Sequence, residues 1–241
     1  MLPGTKQLER RVTLHLYYHP FSSYCQKVMI ALHERDLPYE RNVVDLGDPR
    51  SKAEFAAIWP YAKFPVLNDD HAGVTLPEST VIIEYLDTLS ASGKRMTPID
   101  PAHLRAVHLL DRVIDNYIQT PMQKIVGDRL RPEGKRDPHG VEEARALLET
   151  SYRFLEPRII QTYLSGPDVT LADCAAAPAL FYAQKVAPFA DRYPLLGAYL
   201  ERMLDRPSFA RCVEEARSFR EFFPSADSDA DWPESSGRAA F

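Results

Sequence analysis

The sequence predicts a small α/β sandwich over its first ninety or so residues, followed by an all-helical second part. Three observations carry this. Strand-like and helix-like runs alternate up to Leu89. The stretch Ser90–Pro101 has the composition of a linker. Beyond it, apolar residues recur only at helical spacing.

Val12–Tyr18 reads as a strand and leads through Pro20–Cys25 into a helix over Gln26–His33. A second strand over Tyr39–Leu46 and a helix over Asp48–Trp59 follow. Two short strands, Phe64–Leu67 and Val74–Leu76, flank the turn Asn68–Gly73. The last helix of this part starts near Glu78 and turns Val81, Ile82, Tyr85, Leu86 and Leu89 to one side. The first two strands should pair in parallel through a right-handed crossover.

In the second part, Leu104, Val107, Leu110, Val113, Ile114, Tyr117 and Ile118 form one apolar stripe. Pro121 should kink or interrupt that helix. A further helix is predicted over Val141–Tyr163, with Pro157 as a candidate break. Thr170 and Asp173 have capping-box spacing ahead of a helix over Leu171–Val186. Helices near Leu195–Leu204 and Pro207–Phe222 complete the pattern, and the residues from Pro224 on have the composition of a disordered tail.

The net charge of −5 favours neither nucleic acid nor a membrane surface as a partner. No run approaches the roughly 20 apolar residues of a membrane helix, so a cytoplasmic protein is expected. Cys25, Cys174 and Cys212 are too few for a disulfide framework and too widely spaced for a zinc finger. No metal is expected.

Three short pieces point to chemistry. Ser22-Ser23-Tyr24-Cys25 occupies a strand-to-helix turn, where free N–H groups and the helix dipole favour an anion. Lys63-Phe64-Pro65-Val66 puts a proline at a strand start, the place for a cis bond or an edge. A cis Phe64–Pro65 bond would leave the Phe64 N–H and C=O free for an extended peptide. Pro77-Glu78-Ser79 opens a helix, where Ser79 and the first N–H groups suit a carboxylate and Glu78 an ammonium. Each piece alone also fits a structural cap or turn, and Cys25 fits a buried core cysteine.

Together with the Thr170–Asp173 box, these pieces resemble the glutathione S-transferase family, in a bacterial-type or serine-type cytosolic class. The resemblance implies a thioredoxin-like glutathione-binding domain over residues 11–91 and a linker over 92–100. An all-helical acceptor-substrate domain over 101–223 and a disordered tail over 224–241 would follow. It implies glutathione as cosubstrate, a small electrophilic second substrate, a homodimer and a role in detoxification. Ser22 matches the catalytic serine. Phe64 matches the residue whose backbone pairs with the cysteinyl unit, and Pro65 the family's cis-proline. Glu78 and Ser79 match the pair that holds the γ-glutamyl group, and Lys52 is the candidate for the glycyl carboxylate. Asp111 and Asp115 are candidates for the acidic residue that the partner lends to the γ-glutamyl amine. The Tyr117–Met122 region, with Phe181 or Tyr182, would line the acceptor pocket. The frame lacks the first cysteine of C-x-x-C, and Trp59-Pro60 stands where many relatives carry Asn-Pro.

The energetics suit a serine. A thiol with pKa near 8.5 is about 3% ionised at pH 7, and lowering the pKa by two units takes roughly 2.7 kcal/mol. One hydroxyl hydrogen bond to an ion supplies about 1.5–3 kcal/mol, and a helix N-terminus about 0.3–1 more. Two rivals stay open. A glutathione-dependent isomerase, dehalogenase or peroxidase would use the same thiolate. A binding or regulatory protein would keep the fold without the chemistry.

Overall fold

The computed structural model describes residues 13–89, 94–224 and Trp232. Its first part runs β1 (Leu14–Tyr18), α1 (Ser23–Glu34), β2 (Glu40–Val43), α2 (Pro49–Ile58), β3 (Val66–Asp69), β4 (Val74–Pro77) and α3 (Ser79–Leu86). The strands lie in the order β2-β1-β3-β4, with β1 and β2 parallel and β3 antiparallel to both its neighbours. Thus β1, β2 and β4 end, and β3 begins, at one edge of the sheet. Gly73, at φ +66, takes the left-handed conformation that the β3–β4 turn needs.

The strand β2 is shorter than the predicted Tyr39–Leu46. It is an outer strand that pairs only with β1, and Glu40, Arg41 and Val43 face solvent. With one paired side and no buried face, little holds its ends in the ladder.

The second part is helical: α4 (Pro101–Ile114), α5 (Thr120–Arg129), α6 (Pro138–Leu155), α7 (Leu171–Val186), α8 (Pro194–Leu204) and α9 (Pro207–Ala216). Pro121 does not break the α4–α5 rod. One π-helical stretch, Asp115–Gln119, precedes it, and the Thr120 N–H reaches back to the Asp115 carbonyl. The wider turn absorbs the proline. The predicted helix over Val141–Tyr163 instead begins at Pro138 and ends at Leu155, where a 3-10 turn carries Pro157.

The helix α7 is buried along nearly its whole length, and α1 packs against it and against α3 and α9. At its start the fully buried Asp173 accepts from the Thr170 N–H and hydroxyl, the Leu164 N–H and the Tyr199 hydroxyl, each at 2.9 Å. The capping-box expectation is met in its carboxylate arm. Of the expected linker, residues 94–100 are described and carry neither helix nor strand, whereas the expected tail lies outside the described residues except for Pro224 and Trp232.

Candidate active site

The site is built at the sheet edge where β1 ends, β3 begins and β4 ends. After β1, the His19 carbonyl accepts from the Ser22 N–H at 3.0 Å and closes a tight turn. Ser22 is the N-cap of α1, and its Oγ accepts from the Cys25 N–H at 3.4 Å. That bond uses a lone pair, so the half-buried Ser22 O–H remains a donor, within reach of the Cys25 sulfur and of a ligand at the turn. Ser23 differs: it is buried, and its hydroxyl takes a hydrogen bond from the Gln119 amide.

Cys25 lies fully inside the core, and burial pushes its thiol up to about 12. At neutral pH it is a protonated packing group. The neighbouring tyrosines are also occupied. Tyr18 is buried and donates to Glu215, while Tyr17 stacks on Phe55 at 6.2 Å.

The Phe64–Pro65 bond is cis, and among the described residues neither the N–H nor the C=O of Phe64 has a partner. Glu78, the N-cap of α3, has φ +70 and ψ 114. A side chain there is strained by about 1–3 kcal/mol, which surrounding structure sustains mainly at functional positions. Glu78 is exposed, Ser79 is buried, and no side chain caps this helix start, so its first N–H groups are open to a ligand. Lys52 is on the exposed side of α2 and has no partner among the described residues.

Beneath Ser79 lies a buried charge cluster. Lys27, 1% exposed, meets Asp111 at 2.6 Å and Asp115 at 2.9 Å. Its Nζ also donates to Thr80 Oγ1 at 3.0 Å, and Thr80 donates to Asp111. Arg112 closes the cluster against Asp111, Asp115 and Thr80. Burial pushes the Asp115 carboxyl up, and Lys27 and Arg112 pull it back. Both carboxylates considered for a partner's γ-glutamyl amine are therefore buried and engaged within their own chain. The sequence reading had no signal for this, since a lysine in a helix is usually solvated.

Above the Ser22 turn stands a wall of rings. Phe21 meets Tyr182 at 5.6 Å, Phe223 at 6.0 Å and Trp232 at 5.9 Å, and Trp232 also meets Phe181 at 5.2 Å. The Tyr182 hydroxyl accepts from Gln26 at 3.0 Å, which seats α7 on α1. Phe181 or Tyr182 was expected to line an acceptor pocket, but both are buried at 3% exposure and back the partly exposed rings of Phe21 and Trp232. Phe21, Phe223 and Trp232 were not expected, because nothing local marks a tail residue that packs back on a distant turn.

A thioredoxin-like sheet with a serine-capped α1, a cis-proline loop and a helical second part defines a two-domain glutathione-binding architecture. Sequence profiles of the family agree: the glutathione S-transferase N-terminal domain matches residues 16–94, and the C-terminal domain residues 113–207. A probable maleylacetoacetate isomerase of Caenorhabditis elegans is 31% identical over 199 residues, covering 80% of this chain and 90% of that one. A glutathione S-transferase of Pseudomonas putida is 28% identical over 209 residues, covering 84% and 92%. The crystal structure of a glutathione S-transferase from Methylobacillus flagellatus with GSH bound superposes with a TM-score of 0.76. It is 26% identical and covers 83% of this chain and 98% of that one. The chain belongs to the glutathione S-transferase family.

The strain at Glu78 yields a prediction. Glu78→Gly removes the steric cost of φ +70 and is expected to raise unfolding free energy by about 1 kcal/mol, net of the extra chain entropy of glycine. Urea unfolding of the two proteins checks it; a loss of stability would show that Glu78 is not strained.

Proposed function

We propose that this chain is a glutathione transferase in which Ser22 donates its hydroxyl to the glutathione sulfur and holds it as thiolate. The observation that carries the reading is the half-buried Ser22 hydroxyl at the start of α1, on the same sheet edge as the cis Phe64–Pro65 bond and the uncapped start of α3. The backbone of Phe64 suits the cysteinyl unit. Ser79 and the α3 N–H groups suit the γ-glutamyl carboxylate, and Glu78 its ammonium. Lys52 adds a screened long-range attraction for the anionic ligand.

The thiolate attacks an electrophilic, largely apolar second substrate held against the partly exposed rings of Phe21 and Trp232. Holding the two reactants together supplies much of the rate. The reading places the enzyme in the cytoplasm, where thiols are kept reduced, with a role in detoxification.

A second reading, glutathione-dependent isomerisation, is favoured by the relative named as a probable maleylacetoacetate isomerase. Isomerisation returns glutathione unchanged, whereas conjugation consumes it, so the glutathione balance after turnover separates the two.

The assembly is a homodimer in this reading. Val81 on α3 is 45% exposed and Leu109 on α4 is 59% exposed, on helices joined by Glu84–His108 at 2.9 Å. An apolar pair on this surface suits a second copy. Sedimentation of the intact chain should give the mass of two chains, and a monomer at micromolar concentration would refute it.

The test of the chemistry compares two serines. Ser22→Ala should lower kcat/KM by about 10- to 100-fold at neutral pH, the value of one hydrogen bond to an ion. Ser23→Ala should cost less than about threefold if it keeps its fold, since its hydroxyl only receives the Gln119 amide. Equal losses, or a loss confined to Ser23→Ala, would move the role away from Ser22.

A further inference from the structure

A cavity of about 420 Å³ opens at the C-terminal end of α1, between that helix, the start of β2 and α9. Its volume is that of a small-molecule site. Ser22 caps the opposite end of α1, eleven residues before His33, so the cavity lies about 16 Å along the helix from the thiol turn.

Leu32, Leu37, Pro38 and the Tyr39 ring give the cavity its apolar walls. His33 is neutral and fully used. Its Nδ1–H donates to the Ser208 carbonyl at 3.0 Å, its Nε2 accepts from the Tyr39 hydroxyl at 3.3 Å, and burial lowers its pKa. The charges that line the cavity are Asp36, Arg41 and Arg211. Arg41 is already paired, with Glu215 at 3.2 Å. Asp36 and Arg211 pair neither with each other nor with any other described residue.

Asp36 is badly placed for stability. The Leu37 N–H bonds to the Leu32 carbonyl at 3.0 Å and the Asp36 N–H to the His33 carbonyl at 3.2 Å, which closes α1 in a Schellman motif. Asp36 is the left-handed residue of that motif, at φ +50, where glycine or asparagine is the usual occupant. Its carboxylate also meets the negative end of the helix dipole. Two local rules are broken at one residue that faces a cavity, and such violations gather at functional positions.

We propose that this cavity binds a free apolar α-amino acid, with the ammonium at Asp36, the carboxylate at Arg211 and the side chain against Leu32, Leu37 and Pro38. A zwitterion satisfies both unpaired charges at once and adds no net charge to the cavity. Arginine can hold the carboxylate through two parallel N–H bonds, and an aromatic side chain gives the Tyr39 ring a partner. The site is separate from the tripeptide groove and stands whether or not the transferase reading holds.

The test is equilibrium dialysis of the intact protein against L-phenylalanine, with and without saturating reduced glutathione. Binding with a Kd of about 1 mM or tighter is expected in both. N-acetylphenylalanine lacks the ammonium and phenylalaninamide the carboxylate, so each should bind about tenfold more weakly. Arg211→Gln should weaken phenylalanine about tenfold and leave the urea midpoint unchanged. Asp36→Asn should weaken it by a similar factor and raise the urea midpoint, because asparagine suits the left-handed position and removes the anion. A wild type that does not bind phenylalanine would overturn the proposal, as would displacement by glutathione or equal binding of the two derivatives. So would binding that survives Arg211→Gln, or a lower urea midpoint in Asp36→Asn, which would make Asp36 a structural residue.

Discussion

The buried ammonium of Lys27 is the constraint on which the arrangement depends. It sits on α1, in the sheet-bearing half, and its two carboxylate partners come from α4 and the π-turn after it, in the helical half. A charge in this setting cannot be left unpaired without a loss of about 3–5 kcal/mol. Sliding one half against the other would separate the charges, so the cluster sets their register. The same lysine bonds to Thr80, the residue after Ser79, so the starts of α1 and α3 are referenced to one group. Buried ion pairs add little net stability, and their contribution here is to specify one geometry.

The groups gathered at the sheet edge show how the fold can support thiol chemistry without a thiol of its own. Cys25 is withdrawn into the core and kept protonated, while the Ser22 hydroxyl three residues earlier stays half-exposed at the helix start. The N–H and C=O of Phe64 have no partner among the described residues, and Glu78 is held in a conformation that side chains rarely adopt. Unused donors and local strain lower the stability of this corner, and the closely packed α1–α7 interface offsets that cost.

Much of the fold was legible in the sequence because it is written in hydrophobic periodicity. The strands β1, β3 and β4, the helices α1, α3 and α7 and the Asp173 cap follow from local patterns of two or 3.6 residues and one capping signal. The failures are informative. Pro121 looked like a break, but a π-turn, which leaves no mark in composition, absorbs it. The ends of β2 were overextended because Val44 and Leu46 look strand-like, whereas an outer strand lacks a second neighbour to hold them. Ser22, Phe64, Glu78 and Ser79 were legible because they sit in short motifs with fixed neighbours. Lys27 and Trp232 were not, because their meaning lies in contacts with residues about 80 to 210 positions away.

The central claim is that this corner ionises a bound thiol, and the most direct measurement follows the ultraviolet absorbance of thiolate in the glutathione complex as pH is varied. The account predicts half-ionisation near pH 6.5, about two units below a free thiol, and a return toward about 8.5 in Ser22→Ala. Bound glutathione that titrates like the free tripeptide in the wild type would contradict it.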